Sequence, residues 1–283
     1  MTSTSPLDHD PLDVNALLAE RYGSGAPRLT EPALLASDTL ARLLSHRSVR
    51  QFREQPISEE TVTAIVAAAQ SASSSSNNQA WSVVEVRSAE ARRRLVNEAG
   101  GSALIADAPV ILLFVADWAR AAAIAAGEGE AAVAVDYLET TLVGFVDAAI
   151  AAQNAVVAAE SLGLGTCYLG SLRNHPAITA EIAGLPPRAV VTFGVALGWP
   201  DPHERAGIKP RLGIDVVHSR ETYVPVQPAA VAAYEQTLRA YNETHGRASG
   251  WVRAIVARVR DVAGLHGREP MRDWLAQRGL PSR

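Results

Sequence analysis

The sequence predicts an α+β fold, on three observations. Two short runs, Pro109 to Ala116 and Val190 to Leu197, are nearly all apolar, as in strands covered on both faces. A third run, Leu138 to Leu162, is much longer, and its apolar positions nearly encircle a helix, so it is buried in a core or in a dimer interface. Helical patterns outnumber strands and separate them without any internal repeat, which indicates an α+β sandwich.

The elements follow in order. Residues 1–11 are Ser, Thr, Pro and Asp with little to bury, and read as disordered. Asp13 to Tyr22 reads as a short helix ended by Gly23-Ser24-Gly25. Ser37-Asp38 caps a helix running to about His46. After Pro56, Ser58 caps the next helix, Glu59 and Glu60 suit its positive end, and Val62, Ile65, Val66 and Ala69 form its apolar face. Trp81 to Val86 is a strand. Ala119 to Ala134 is alanine-rich, a weakly specified helix or flap. Gly163 and Gly165 end the long helix, and Gly165 to Leu169 is a strand. The last third carries helices over Ala229 to Tyr241, Val252 to Ala263 and Arg268 to Arg278. The expected division is an N-terminal arm over 1–37, a core over 38–226 and a helical extension over 227–283.

Composition narrows the class. The chain has 283 residues, 48% hydrophobic and 20% charged, enough for a full core. A net charge of −4 gives no case for nucleic acid. The single cysteine, Cys167, rules out an intrachain disulfide framework and a cysteine-based metal cluster, and reads as a small buried residue. None of the seven histidines pairs at a close ligand spacing, so no metal site is expected. No signal-peptide core is visible, and the long helix carries Asp147, Gln153, Asn154 and Glu160, which a membrane span would not hold without a use. The expected setting is cytoplasmic.

The chemistry concentrates in cations. Arg47 and Arg50 stand three positions apart beside Ser48 in His46-Arg47-Ser48-Val49-Arg50, and Lys209-Pro210-Arg211 adds a second pair spaced by a stiff proline. Arginine forks phosphate oxygens bidentately and serine adds a short donor, so the set suits a phosphorylated cofactor reached from both halves of the chain. The serine run 73–76 directly follows a helix and precedes a strand, so it is a tight connection and not a spacer.

In this order these segments, with Gln153-Asn154-Ala155, Ala159-Glu160-Ser161-Leu162-Gly163-Leu164-Gly165, Tyr168-Leu169-Gly170-Ser171 and Leu197-Gly198-Trp199-Pro200, resemble the flavin-dependent nitroreductase superfamily. The likeness is to its oxygen-insensitive NADPH nitroreductase and NADPH–flavin oxidoreductase branch, over roughly residues 38–283. It implies a mixed β-sheet flanked by helices, built as an intertwined homodimer with FMN at the subunit interface. It places Arg50, Lys209 and Arg211 at the FMN phosphate, and His46, Arg47 and Ser48 along the same segment. Ser74, Ser75 and Gln79 would meet the ring, as would Tyr168, Leu169, Gly170 and Ser171. Ser102 stands where a glutamine commonly contacts the flavin and is too short for that reach. Asn77 would give a polar acceptor mouth. His245 or Arg247 would meet the NADPH 2′-phosphate, and Arg268 would lie near the acceptor.

The implied reaction is a ping-pong hydride relay from NADPH or NADH to a small-molecule electron acceptor such as a nitroaromatic, quinone or flavin, with no catalytic protein side chain. Two other readings stay open: a flavoprotein of the same fold with different chemistry, such as dehydrogenation or flavin cleavage, and a non-catalytic flavin-binding dimer.

Overall fold

The computed structural model describes residues 12–283, so the expectation for 1–11 lies outside the described residues. In chain order the helices are α1 Val14–Tyr22, α2 Pro32–Leu35, α3 Asp38–Ser45, α4 Glu59–Gln70, α5 Ala89–Asn97, α6 Leu104–Asp107, α7 Ala119–Gly127 and α8 Leu138–Ser161. They continue as α9 Pro176–Ile182, α10 Ile214–Val217, α11 Pro228–Thr244, α12 Trp251–Val259 and α13 Met271–Gln277. The strands are β1 Trp81–Val86, β2 Val110–Asp117, β3 Gly165–Leu169 and β4 Ala189–Gly198. Side-chain caps open α1, α3 and α4, the last two at the expected Ser37 and Ser58. Asp13 accepts from the amides of Asn15 and Ala16, Ser37 from that of Leu40, and Ser58 from that of Thr61.

The chain divides into two compact units. One is Ser48–Glu204 with Gly267–Arg283; the other is Arg205–His266 with the described part of Met1–Arg47. In the first, the sheet order is β1-β2-β4-β3, and every strand pair is antiparallel. An isolated parallel bridge joins Ser48 to Thr166 of β3, outside the four strands.

Strand β2 shows why two runs are apolar throughout. Val110, Leu112 and Phe114 point into a cluster with Ile65 of α4 and Ala148 to Ala159 of α8. Ile111, Leu113 and Val115 point into a second cluster with Leu95 of α5, Ile105 of α6 and Leu172. Alternate residues therefore bury on opposite faces. A register shift between Phe114 and Val115 leaves Thr192 of β4 without a paired partner; its buried hydroxyl donates to Phe114 O at 2.8 Å.

Helix α8 is long and apolar enough by composition to cross a bilayer. It is a core helix instead. Ala148, Ala151, Ala152, Ala155 and Ala159 are fully buried, and their small side chains let α4 and the sheet pack closely. The segment 267–283 also belongs with the sheet. Leu275 and Leu280 pack with Ala116, Trp118 and Val190. Its backbone is tied on by Arg188 N–H to Arg278 O at 2.6 Å and Arg283 N–H to Asp136 O at 2.9 Å.

In the other unit, α1 packs on α3. Val14, Leu17 and Leu18 bury against Ala41 and Ile208. Tyr234 of α11 meets Trp251 of α12 edge-on, with ring centres 5.3 Å apart. The Tyr234 hydroxyl donates to Pro210 O at 3.2 Å and that of Tyr241 to Gly207 O at 3.0 Å, so α11 braces the stretch 207–211.

Candidate functional site

In the sheet unit, three segments carry the residues singled out from sequence. The first is Ser48 to Phe52. Val49 N–H donates to Thr166 O at 2.9 Å, and the amides of Arg50 and Gln51 both donate to Glu204 Oε2, at 2.7 and 2.6 Å. Val49 is buried while Arg50 is exposed, as alternation along an extended segment requires. The Arg50 guanidinium reaches back to Ser48 O at 3.1 Å. Glycine makes the docking close. A Cβ on Gly165 would sit 2.7 Å from Val49 Cβ, and one on Gly198 would fall within the Phe52 side chain.

The second segment is the turn from α4 into β1. Ser74, Ser75, Asn77 and Gln79 lie on it, and three of its residues are left-handed without being glycine: Ser76 at φ 48°, Asn77 at 56° and Gln79 at 50°. Each such conformation costs on the order of 1–3 kcal/mol and persists only where its surroundings impose it. Asp147 of α8, 1% exposed, does so from below. Its Oδ2 accepts from Ser74 Oγ at 2.9 Å and from Ala80 N–H at 3.2 Å, and its Oδ1 from Ser75 N–H at 3.0 Å. Gln79 N–H donates to Ser74 Oγ at 2.6 Å. Arg120 holds the outer side, donating to Gln79 O at 3.1 Å and to Ser82 Oγ at 2.6 Å. The side chains of Ser75, Asn77 and Gln79 are left exposed.

The third segment ends β3. Leu169 is buried and Tyr168 is 39% exposed. The Tyr168 ring closes an aromatic row across the sheet: Trp81 to Phe114 at 6.1 Å, Phe114 to Phe193 at 5.9 Å and Phe193 to Tyr168 at 5.3 Å. Its hydroxyl pairs with Gln153 Oε1 at 3.3 Å. At Gly170 a Cβ would meet only the Arg173 guanidinium, at 3.5 Å, so the protein's own packing does not demand glycine there. Ser171 is half-buried beside it.

Burial, with the nearby charge of Glu160, pushes the Tyr168 hydroxyl up to about 12. Tyr168 is then neutral in folded and unfolded chains alike below about pH 10. Above that the unfolded chain loses its proton first, so stability falls as pH rises from about 10 toward 12. An ultraviolet difference titration against Tyr168→Phe is expected to show one late-ionising tyrosine, absent from the variant.

Two further residues of this unit stand apart from these segments in sequence. Ser102 is exposed and starts the turn into α6, its carbonyl accepting from Ile105 N–H at 3.0 Å. Arg268 is half-buried, with its Nε unpartnered among the described residues.

The other unit holds the remaining cations. His46 is half-buried just past α3, Arg47 is exposed, and Lys209 and Arg211 are exposed on either side of the buried Pro210. The Arg211 Nη1 donates to Lys209 O and Pro210 O, both at 3.2 Å. His245 and Arg247, offered together from sequence, have different surroundings. The His245 ring stacks on Tyr241 at 4.1 Å, and its Nδ1 lies 2.8 Å from Tyr241 O, so it packs within the unit. Arg247 lines a cavity of about 430 Å³ with Arg239, Glu243 and Ser249. Asp147 and Arg120 were not singled out as site residues from sequence; one signal for Asp147 was a carboxylate in the middle of a predominantly apolar helix.

The chain resembles known proteins over most of its length. The chain is 36% identical over 250 residues to an NADPH-flavin oxidoreductase of Vibrio harveyi, covering 87% of this chain and 100% of that one. It is 37% identical over 210 residues to an oxygen-insensitive NADPH nitroreductase of Salmonella typhimurium, covering 74% and 85%. Among solved structures, the Vibrio harveyi NADPH:FMN oxidoreductase complexed with NAD+ superposes with a TM-score of 0.78 at 36% identity, over 87% of this chain and 100% of that one. Nitroreductase A from Vibrio parahaemolyticus gives 0.79 at 35%, over 87% and 99%. The nitroreductase family model matches residues 43–199 and that family's C-terminal domain matches 209–283, so the chain belongs to the nitroreductase family.

Proposed function

We propose that the chain is an NAD(P)H-dependent FMN oxidoreductase, with NADPH favoured, that reduces nitroaromatics, quinones or flavins in ping-pong order. The observation that carries this reading is the Ser74–Gln79 turn, held in a strained left-handed form from the Asp147 side with the polar side chains of Ser75, Asn77 and Gln79 exposed on the other. Such a surface suits the edge of a flat heteroaromatic ring. Gly170 fits the same ligand: it leaves backbone uncovered where the protein itself would tolerate a side chain. The names of the relatives support the choice of flavin and nicotinamide.

FMN, when bound, supplies the hydride exchange with nicotinamide and acceptor. The chain's own residues bind and orient. Arg50, Lys209 and Arg211 take the phosphate, with His46, Arg47 and Ser48 along the ribityl side. Ser74, Ser75, Gln79 and Ser102 serve the ring edge, and Tyr168 to Ser171 its face. Asn77 and Arg268 border the acceptor. Arg247, next to Arg239 in the 430 Å³ cavity, is the better placed of the two candidates for a 2′-phosphate. No side chain is assigned proton transfer, and Tyr168, pushed up to about 12, stays protonated through the neutral range.

The protein is read as a cytoplasmic homodimer. Leu138, Leu142, Val146 and Ile150 of α8, between 40% and 54% exposed, form an apolar stripe that a second copy would cover.

Anaerobic rapid mixing of the FMN-loaded protein tests the reading. Fast loss of flavin absorbance with NADPH, slower loss with NADH, and recovery on adding a quinone or nitroaromatic are expected. Absorbance unchanged by both nucleotides would overturn the reductase assignment.

A further inference from the structure

Helix α1 precedes both family-matched segments, 43–199 and 209–283, yet its last turn is tied to the beginning of each. The tie is Arg21, 6% exposed on the same face as Val14, Leu17 and Leu18. Its guanidinium donates to Leu44 O from Nε at 3.2 Å and from Nη2 at 2.6 Å, and to His46 O from Nη2 at 2.9 Å. Nη1 donates to Lys209 O at 3.3 Å. The carbonyl of Arg21 in turn accepts from Arg211 N–H at 3.0 Å.

One residue thus grips the end of α3 and both cationic residues of Lys209-Pro210-Arg211 by their backbones. The end of α3 leaves carbonyls without helical partners and is the negative end of the helix dipole, which favours a buried cation there. A fork of five N–H donors can hold several carbonyls in fixed directions, which neither an apolar side chain nor a lysine can do. The side chains of Arg47, Lys209 and Arg211 stay exposed around this clip.

We propose that Arg21 is a positioning residue. It sets the spacing between the His46–Arg47 turn, on the ribityl side, and the Lys209–Arg211 stretch, so that the cations of that stretch meet a phosphate monoester. The inference rests on the reading above, in which both segments hold FMN and Lys209 and Arg211 take its phosphate. It gives α1, which the family models do not cover, a part in cofactor affinity.

The test compares FMN with riboflavin, which lacks the phosphate, by fluorescence titration of flavin-free protein. The variants are Arg21→Met, Arg21→Lys and Arg211→Ala, with thermal unfolding recorded for each. Arg21→Met is expected to weaken FMN about tenfold, the equivalent of one lost charge-assisted contact, while riboflavin binding is unchanged. Arg21→Lys is expected to show a smaller drop in the same ratio, and carries the test if the Met variant does not fold. Equal loss of both flavins in Arg21→Met would make Arg21 merely structural and overturn the proposal. A lowered ratio in Arg211→Ala with none in the Arg21 variants would overturn the role of Arg21 alone. An unchanged ratio in Arg211→Ala would remove the phosphate reading, and the proposal with it.

Discussion

Asp147→Ala is expected to cost about 3–5 kcal/mol of folding stability and at least tenfold in FMN affinity. The carboxylate accepts a hydroxyl and two amides, and Ala80, which gives one of the amides, is 2% exposed. Truncation leaves these donors facing a cavity instead of water, and a buried donor without an acceptor loses its full solvation. The turn above then loses the anchors at both of its ends, Ser74-Ser75 and Ala80, and with them the reason for Ser76, Asn77 and Gln79 to stay left-handed. Urea unfolding of the flavin-free protein reads the first effect and FMN titration the second. Asp147→Asn is expected to fall between, because it keeps one acceptor oxygen but turns an NH2 toward an amide or hydroxyl donor. An unfolding midpoint equal to the parent's in Asp147→Ala would show that these hydrogen bonds do not hold the turn.

Gly165→Val is the second large effect. The built Cβ already lies within 2.8 Å of three Val49 carbons, and two more methyl groups would follow it. Val49 is 2% exposed and tied to Thr166 O at 2.9 Å, so it has no free direction in which to yield. Overpacking of this kind costs about 1–3 kcal/mol, and a branched side chain belongs at the upper end. The strain is relieved most readily by lifting Ser48 to Gln51 off β3, which moves Arg50 with them. We therefore expect FMN affinity to fall together with stability, and Val49→Ala in the same chain to restore part of both. A double variant no better than Gly165→Val would place the clash elsewhere.

Much of this fold could be read from the chain. β1 runs over Trp81–Val86, and α8, β2 and β4 lie within a residue or two of their expected bounds, because their apolar runs are long and unbroken. Helix α5 was missed since only Leu95 is buried on it; Ala89–Asn97 is a polar surface helix marked chiefly by its Ser88 cap. Sheet order and the register shift at Phe114/Val115 depend on pairing between strands far apart in sequence, which periodicity does not encode. The candidate site follows the same division. The cationic pairs and the serine turn announce themselves by residue type. What holds them does not: Asp147 is 73 positions from Ser74 and Arg21 is 188 from Lys209. The stacking of the His245 ring on Tyr241, four residues before it, is likewise a contact that residue type alone does not announce.

The sheet unit is discontinuous in sequence: Ser48–Glu204 is completed by Gly267–Arg283. During synthesis the second piece emerges only after the intervening Arg205–His266. At about 5–20 residues per second that is a delay of roughly 3–12 s. For that interval the surface that Leu275 and Leu280 later cover, including Trp118 and Val190, is open to water and to other nascent chains. The yield of correctly folded protein should therefore depend on translation speed through codons 205–266, even where the finished protein's stability does not.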